Sequence, residues 1–193
     1  MSTSPRPVKD VASDRPLVIN HLHESEARWF AVHTRSKSEK FVQRMLARKG
    51  VHAWLPLQQL LRRYSRSTRM TEKPLINCYV FVRIVKDQYL TVLETENVAG
   101  FVRFGKNLVA IHEAEIDLLK RITLAGDLDV QAVPGNFAEG DPVEISAGTL
   151  AGLKGRIVKV EGKRKFQVEL KYLFHSLLIT VDAAFLEKTR LAV

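Results

Sequence analysis

Two segments constrain this chain more than anything else in it. One is a strand-like run, Lys73-Pro74-Leu75-Ile76-Asn77-Cys78-Tyr79-Val80-Phe81-Val82; the other is Gly140-Asp141-Pro142-Val143-Glu144-Ile145, followed by Gly148, Gly152 and Gly155. A polar break separates them, so the chain reads as two small domains. In the first run, Pro74 marks a strand start, and alternation beyond it sets Tyr79 and Phe81 on one face and Val80 and Val82 on the other. In the second, Gly140-Asp141 is a turn that opens a strand, and the later glycines supply positive φ or close backbone approach at the bends of a small barrel.

Charge separates the same two regions. Residues 29 to 126 hold 17 Lys/Arg against 8 Asp/Glu, while the segments on either side are balanced, so the net +9 lies in the middle block. An excess confined to one domain is what a polyanion-binding face requires, although a well-solvated surface has the same composition. With 46% apolar residues the 193-residue chain can bury a core in each of two domains. No run of 18 apolar residues offers a membrane span, the N-terminus has no apolar leader, and the single Cys78 forms no internal disulfide. A cytoplasmic protein away from the membrane is expected.

The pattern predicts a disordered tail over 1–27, a first domain over 28–126, a linker over 127–138 and a β-barrel domain over 139–193. Trp29 to His33 reads as a strand, and Ser36-Lys37-Ser38-Glu39 has the spacing of a capping box. A helix is expected from there to Lys49, with Phe41, Val42, Met45 and Leu46 on its apolar face and Gly50 as its stop. Lys40, Arg44 and Arg48 stripe the other face, a pattern shared by any solvated helix. Strands over 51–57 and 58–63 lead into Arg62 to Met70, a loop or hairpin tip with Arg62, Arg63, Arg66 and Arg69, one tyrosine and no acid. Arginines with an interleaved aromatic suit phosphates and unstacked bases, and an unbound hydrophilic loop reads the same way. A short helix over 87–94, a strand over 98–104 with a turn at Gly105, and a helix from Glu113 to Gly126 complete the first domain. The helices are expected on one side of an antiparallel sheet, giving an α+β class.

Catalytic patterns are missing. The six histidines lack the spacing of a metal site, and no phosphate-cradling loop, dinucleotide fingerprint or nucleophile elbow occurs. Gly152-Leu153-Lys154-Gly155 has the form of an RNA-clamping G-x-x-G loop but precedes β-rich sequence instead of a helix. Neither an enzyme nor a cofactor or metal is expected.

From Arg28 to Leu191 the chain resembles the NusG family of transcription elongation factors, and within it the specialised paralogues of the RfaH and UpxY kind. The resemblance rests on Trp29-Phe30-Ala31-Val32 before the helix, on Pro74-Leu75 through Val82, on Val98 through Gly105, and on the 140–155 segment, which is similar to a KOW module. It implies an NGN-type antiparallel sheet with flanking helices followed by a small SH3-like KOW β-barrel. The implied protein is a non-enzymatic, monomeric factor that rides on RNA polymerase and suppresses pausing and termination at particular operons such as polysaccharide loci. A housekeeping NusG-type factor and a ribosome- or RNA-associated KOW adapter remain open.

The resemblance also implies residue roles. Tyr79 and Phe81, with Ile76, Ile116 and Leu119, would form an apolar patch for the clamp helices of the largest polymerase subunit. Tyr79 and Phe81 are accordingly expected to be exposed, and their joint replacement by alanine to leave the fold intact. Arg35 and Lys37, with Arg62, Arg63, Arg66 and Arg69, would meet the non-template DNA strand. Phe41 and Met45 stand where the RfaH branch has polar base-contacting residues, so the same recognition element is not implied. In the KOW module, Leu150 and Phe174 would face a second partner, a ribosomal small-subunit protein or Rho.

Overall fold

The computed structural model describes residues 18–64, 67–125, 129–134, 140–160, 163–173 and 175–188. The first domain is organised by a four-stranded antiparallel sheet of β1 (Arg28–Thr34), β2 (His52–Trp54), β5 (Tyr79–Ile84) and β6 (Val98–Phe101), in the order β2-β5-β1-β6. Register pairs Ala31 with Phe81 and His33 with Tyr79. Alternation then divides the side chains: Phe30, Val32, Val80 and Val82 go to one face, Trp29, Ala31, Tyr79 and Phe81 to the other.

Both faces are buried. On the first, α1 (Glu39–Arg48) supplies Val42 and Leu46, and the short α2 (Tyr89–Leu93) supplies Val92. On the second, α3 (Glu113–Leu124) supplies Ile116, Leu119 and Ile122. The helices therefore flank the sheet on two sides, which corrects the one-sided arrangement expected from sequence. A central strand covered on both faces reads as a continuous apolar run, and such a run carries no sign of which side is covered.

The 73–82 run is not one strand. Pro74 ends β4 (Ser67–Pro74), the chain turns through Leu75–Cys78 with Cys78 at φ 65°, and β5 begins at Tyr79. The capping box is not formed either. Ser38 caps α1 without a side-chain bond, and the buried Glu39 carboxylate instead accepts the Cys78 amide at 2.7 Å. It thereby satisfies a donor that the turn takes out of the ladder. Gly50, at φ 74°, ends the helix as expected.

Strands β3 (Leu57–Tyr64) and β4 form a separate two-stranded ribbon. Its register sets Arg62 opposite Arg69 and Tyr64 opposite Ser67, so most of the expected basic loop is strand. Residues 65–66, and with them Arg66, lie outside the described residues, as do the side chains of Arg62, Arg63 and Arg69.

Part of the expected disordered tail is built into the domain. His21 donates its amide to the Leu108 carbonyl, Leu108 donates to that of Ile19, and Lys86 to that of His23, while Leu22 packs on the α1-side core. These bonds run through the backbone, where composition gives no sign of them. Residues 1–17 lie outside the described residues.

The second domain is a six-stranded antiparallel sheet of β7 (Val130–Pro134), β8 (Asp141–Ile145), β9 (Lys154–Val160), β10 (Lys163–Leu170), β11 (His175–Ile179) and β12 (Leu186–Lys188), in the order β12-β8-β9-β10-β11-β7. The segment read as linker thus contributes β7, which pairs along β11. Lys163 to Lys165 are paired with β9 within β10. The glycines act as read. Gly148 and Gly152 both sit at φ 81°, and a Cβ on Gly155 would lie 2.4 Å from the Gln167 carbonyl oxygen.

Candidate functional site

Tyr79 and Phe81 project from successive outward positions of β5, Ile76 lies in the turn before it, and Ile116 and Leu119 are one helical turn apart on α3. The structure brings all five into one apolar cluster. It also covers them, with Tyr79 8% exposed and Phe81 0%. The exposure expected of this pair is therefore not observed.

The cover has two sources. Within the first domain, the Trp54 ring lies 5.7 Å from that of Phe81. From the second domain, His175 meets Tyr79 edge-on at 5.1 Å, and Val130, Leu170, Leu173 and Leu177 join the same cluster. Sequence reasoning found the face but not its lid, because the residues of the second domain that close it over Tyr79 and Phe81 lie 49 or more positions beyond that pair.

Polar contacts from α3 fasten the lid. Arg121 donates through Nη2 to the carbonyls of Thr149, at 3.3 Å, and Ala151, at 2.8 Å. Glu115 accepts the Lys171 amide at 2.8 Å. The loop held by Arg121 contains Leu150, which is buried in the shared cluster, so this expected partner-facing residue points into the closed molecule. Phe174 lies outside the described residues.

Burial under the second domain has electrostatic consequences. It pushes the Tyr79 hydroxyl above its usual range, with a smaller push from Cys78. His33, whose ring lies 4.4 Å from that of Tyr79, is held below the usual histidine value, first by burial and then by the charge of His175.

At the mouth of the β1–α1 turn, a groove of about 440 Å³ is lined by Lys37, Lys40 and Lys73 together with Ser36, Pro74, Asn77 and one acid, Glu39, whose carboxylate is engaged by the Cys78 amide. Arg35 and Lys37 are exposed, and Lys37 adopts φ 62°. Lys40 pairs with Glu72 at 2.8 Å, both half-exposed; such a pair is worth under about 1 kcal/mol and yields readily to another anion. Among the described residues no carboxylate forms an ion pair with Lys37 or Lys73. Lys73 and Asn77 were missed as site residues, since the base of the ribbon brings them to α1 from more than 30 positions away. Phe41 and Met45 are half-buried, and Phe41 packs on the α1-side core.

Among the described residues no His, Cys, Asp and Glu cluster could hold a metal ion, and no helix is long and apolar enough to cross a membrane.

Residues 27–120 match the family described as transcription termination factor nusG. The transcription termination/antitermination protein NusG of Streptococcus pyogenes serotype M3 is 25% identical over 147 residues, spanning 70% of this chain and 82% of that protein. A solved structure concerned with domain interaction in Thermotoga maritima NusG superposes with a TM-score of 0.52 at 21% identity, covering 86% of this chain and 98% of that one. Residues 27–120, which carry the Tyr79 face and α3 up to Lys120, thus match the NusG family, in a chain of NusG-like fold.

Proposed function

We propose that this protein is a transcription elongation and antitermination factor of the specialised RfaH kind. Its first domain docks on the clamp helices of the largest RNA polymerase subunit through Tyr79, Phe81, Ile76, Ile116 and Leu119. Arg35, Lys37 and the lysine groove hold the non-template strand, and the arginine ribbon extends that basic edge. Clamping both disfavours the paused conformation, so elongation gains by population shift. The second domain is read as a KOW module that recruits a ribosomal small-subunit protein or Rho, and the complex acts at particular operons.

The observation that carries this reading is the convergence of the five docking candidates on one sheet face, beside a lysine groove, in a region that matches the NusG family. Because the second domain lies on that face, docking requires it to move away. The apolar area it leaves is then transferred to the polymerase, where buried aromatics are worth about 2 kcal/mol or more at a hot spot.

The test is capture of purified core RNA polymerase by the full chain. Glu115→Ala with Arg121→Ala removes three hydrogen bonds across the closed face, each worth about 1 kcal/mol net. Capture is expected to rise about tenfold or more. Adding Tyr79→Ala to that background should abolish the gain, and capture indifferent to Tyr79 would retire the docking assignment.

The nucleic-acid arm makes a separate prediction. If Arg35, Lys37, Lys40 and Lys73 each contact a phosphate, single-strand affinity should fall with salt at a log-log slope of about −3, and Lys73→Ala should flatten it by about 0.7. Affinity insensitive to salt would remove these residues from the interface.

A further inference from the structure

Three rings meet where the second domain covers the first. His33 of β1 lies 4.4 Å from Tyr79 of β5, and Tyr79 is met edge-on by His175 of β11 at 5.1 Å. The Nδ1 of His175 is 2.6 Å from the Leu173 carbonyl oxygen. A carbonyl can only accept, so that nitrogen carries hydrogen and His175 is held in one orientation against Tyr79. Both imidazoles are half-buried, and each comes from a different domain.

We propose that the His33–Tyr79–His175 stack is a proton-operated latch: the two domains stay closed while His33 is neutral, and acidification parts them and uncovers the Tyr79 face. What that face then docks on rests on the polymerase reading above; the parting of the domains does not.

The groups around His33 leave it little help in carrying a charge. From β5 come Tyr79 and a backbone hydrogen bond with Cys78, and from β11 comes His175. The adjoining β6 presents Gly100 and Val98, which do not titrate. From α1, the Glu39 carboxylate is engaged by the Cys78 amide. Arg35, two residues along the chain, is exposed and of the same sign as an imidazolium. A proton on His33 in the closed molecule is therefore opposed by burial and by His175, and the one favourable influence is the Cys78 backbone.

The direction of the effect follows from linkage. Closure lowers the His33 pKa from its ordinary 6.5, so the open form binds the proton more tightly. Closure is at full strength above that ordinary value, weakens as pH falls through it, and levels off below the lowered value of the closed form. One proton changes the closed-to-open ratio by at most about tenfold per pH unit.

The experiment is small-angle scattering and histidine NMR on the full chain between about pH 7.5 and about pH 5.5. Constant far-UV circular dichroism over that range separates parting of the domains from unfolding. The closed-to-open ratio is expected to fall up to about tenfold across the range. His33→Phe keeps a ring against Tyr79 without a titratable nitrogen and should hold the domains closed throughout; His33→Leu is the second variant should the first fail to fold. A ratio constant with pH, the same pH response in a folded His33 variant, or a His33 titration at its ordinary value in the closed chain would each overturn the latch. Polymerase capture measured at the two ends of the range separates the two readings. Domains that part without any gain in capture leave the latch standing and remove the docking assignment.

Discussion

Phe81→Ala is expected to destabilise the first domain by about 3–5 kcal/mol, the loss typical of truncating a fully buried phenylalanine. The ring is 0% exposed, packs 5.7 Å from Trp54 and shares its cluster with Ile116 and Leu119. Strand β5 lies between β1 and β2, so its backbone has little freedom to collapse into the space left behind. Against a typical domain stability of about 5–15 kcal/mol, much of the folded population is at stake. Urea unfolding of the variant measures the loss, and a value under about 1 kcal/mol would mean that the ring is solvent-facing in solution. The double replacement at Tyr79 and Phe81, expected from sequence to be silent for folding, is thus unsuited to a binding assay. Tyr79, whose cover comes partly from the second domain, is the cleaner position.

Gly155→Ala carries the second large effect. The added Cβ would lie 2.4 Å from the Gln167 carbonyl oxygen and 2.6 Å from the Phe166 Cζ. The first is main chain of the adjacent β10, and the second belongs to a ring that is itself 1% exposed, so neither can step aside. Overpacking of this kind costs about 1–3 kcal/mol and more where backbone is the obstacle. The second sheet should melt at lower temperature as a transition separate from that of the first domain. On the proposed reading, polymerase capture should then rise, because the lid is lost while the docking face persists. Unchanged amide shifts across β9 and β10 would show that the sheet absorbs the methyl group and would sink the prediction.

Much of the local structure was legible because it depends on neighbours in sequence. The apolar spacing of Phe41, Val42, Met45 and Leu46 placed α1, and Gly50 stopped it at φ 74°. Spacing likewise found α3, and the glycines at 148, 152 and 155 were read for the conformations they adopt. The misses share a cause. Glu39 looked like a capping residue, but its carboxylate is engaged by an amide 39 positions away. Cys78 at φ 65° breaks a run that looks like one strand, and nothing about a cysteine announces a left-handed residue. Residues 130–134 look like linker when read alone and become a strand because β11 offers them an edge.

The candidate site divides in the same way. The proposed docking residues could be named one by one, since they occupy recognisable positions in β5, in the turn before it and in α3. Their burial could not, because it is decided by surfaces from two domains that share no local pattern. The groove was half legible: Lys37 and Lys40 stand at the helix start, whereas Lys73 and Asn77 arrive through the ribbon.

Arg121 grips the 149–151 loop by its carbonyl oxygens, which every amino acid possesses. Thr149 and Ala151 can therefore drift over evolutionary time without loosening that hold. A lineage could retune the outer surface of this loop while inheriting the same closed arrangement unchanged.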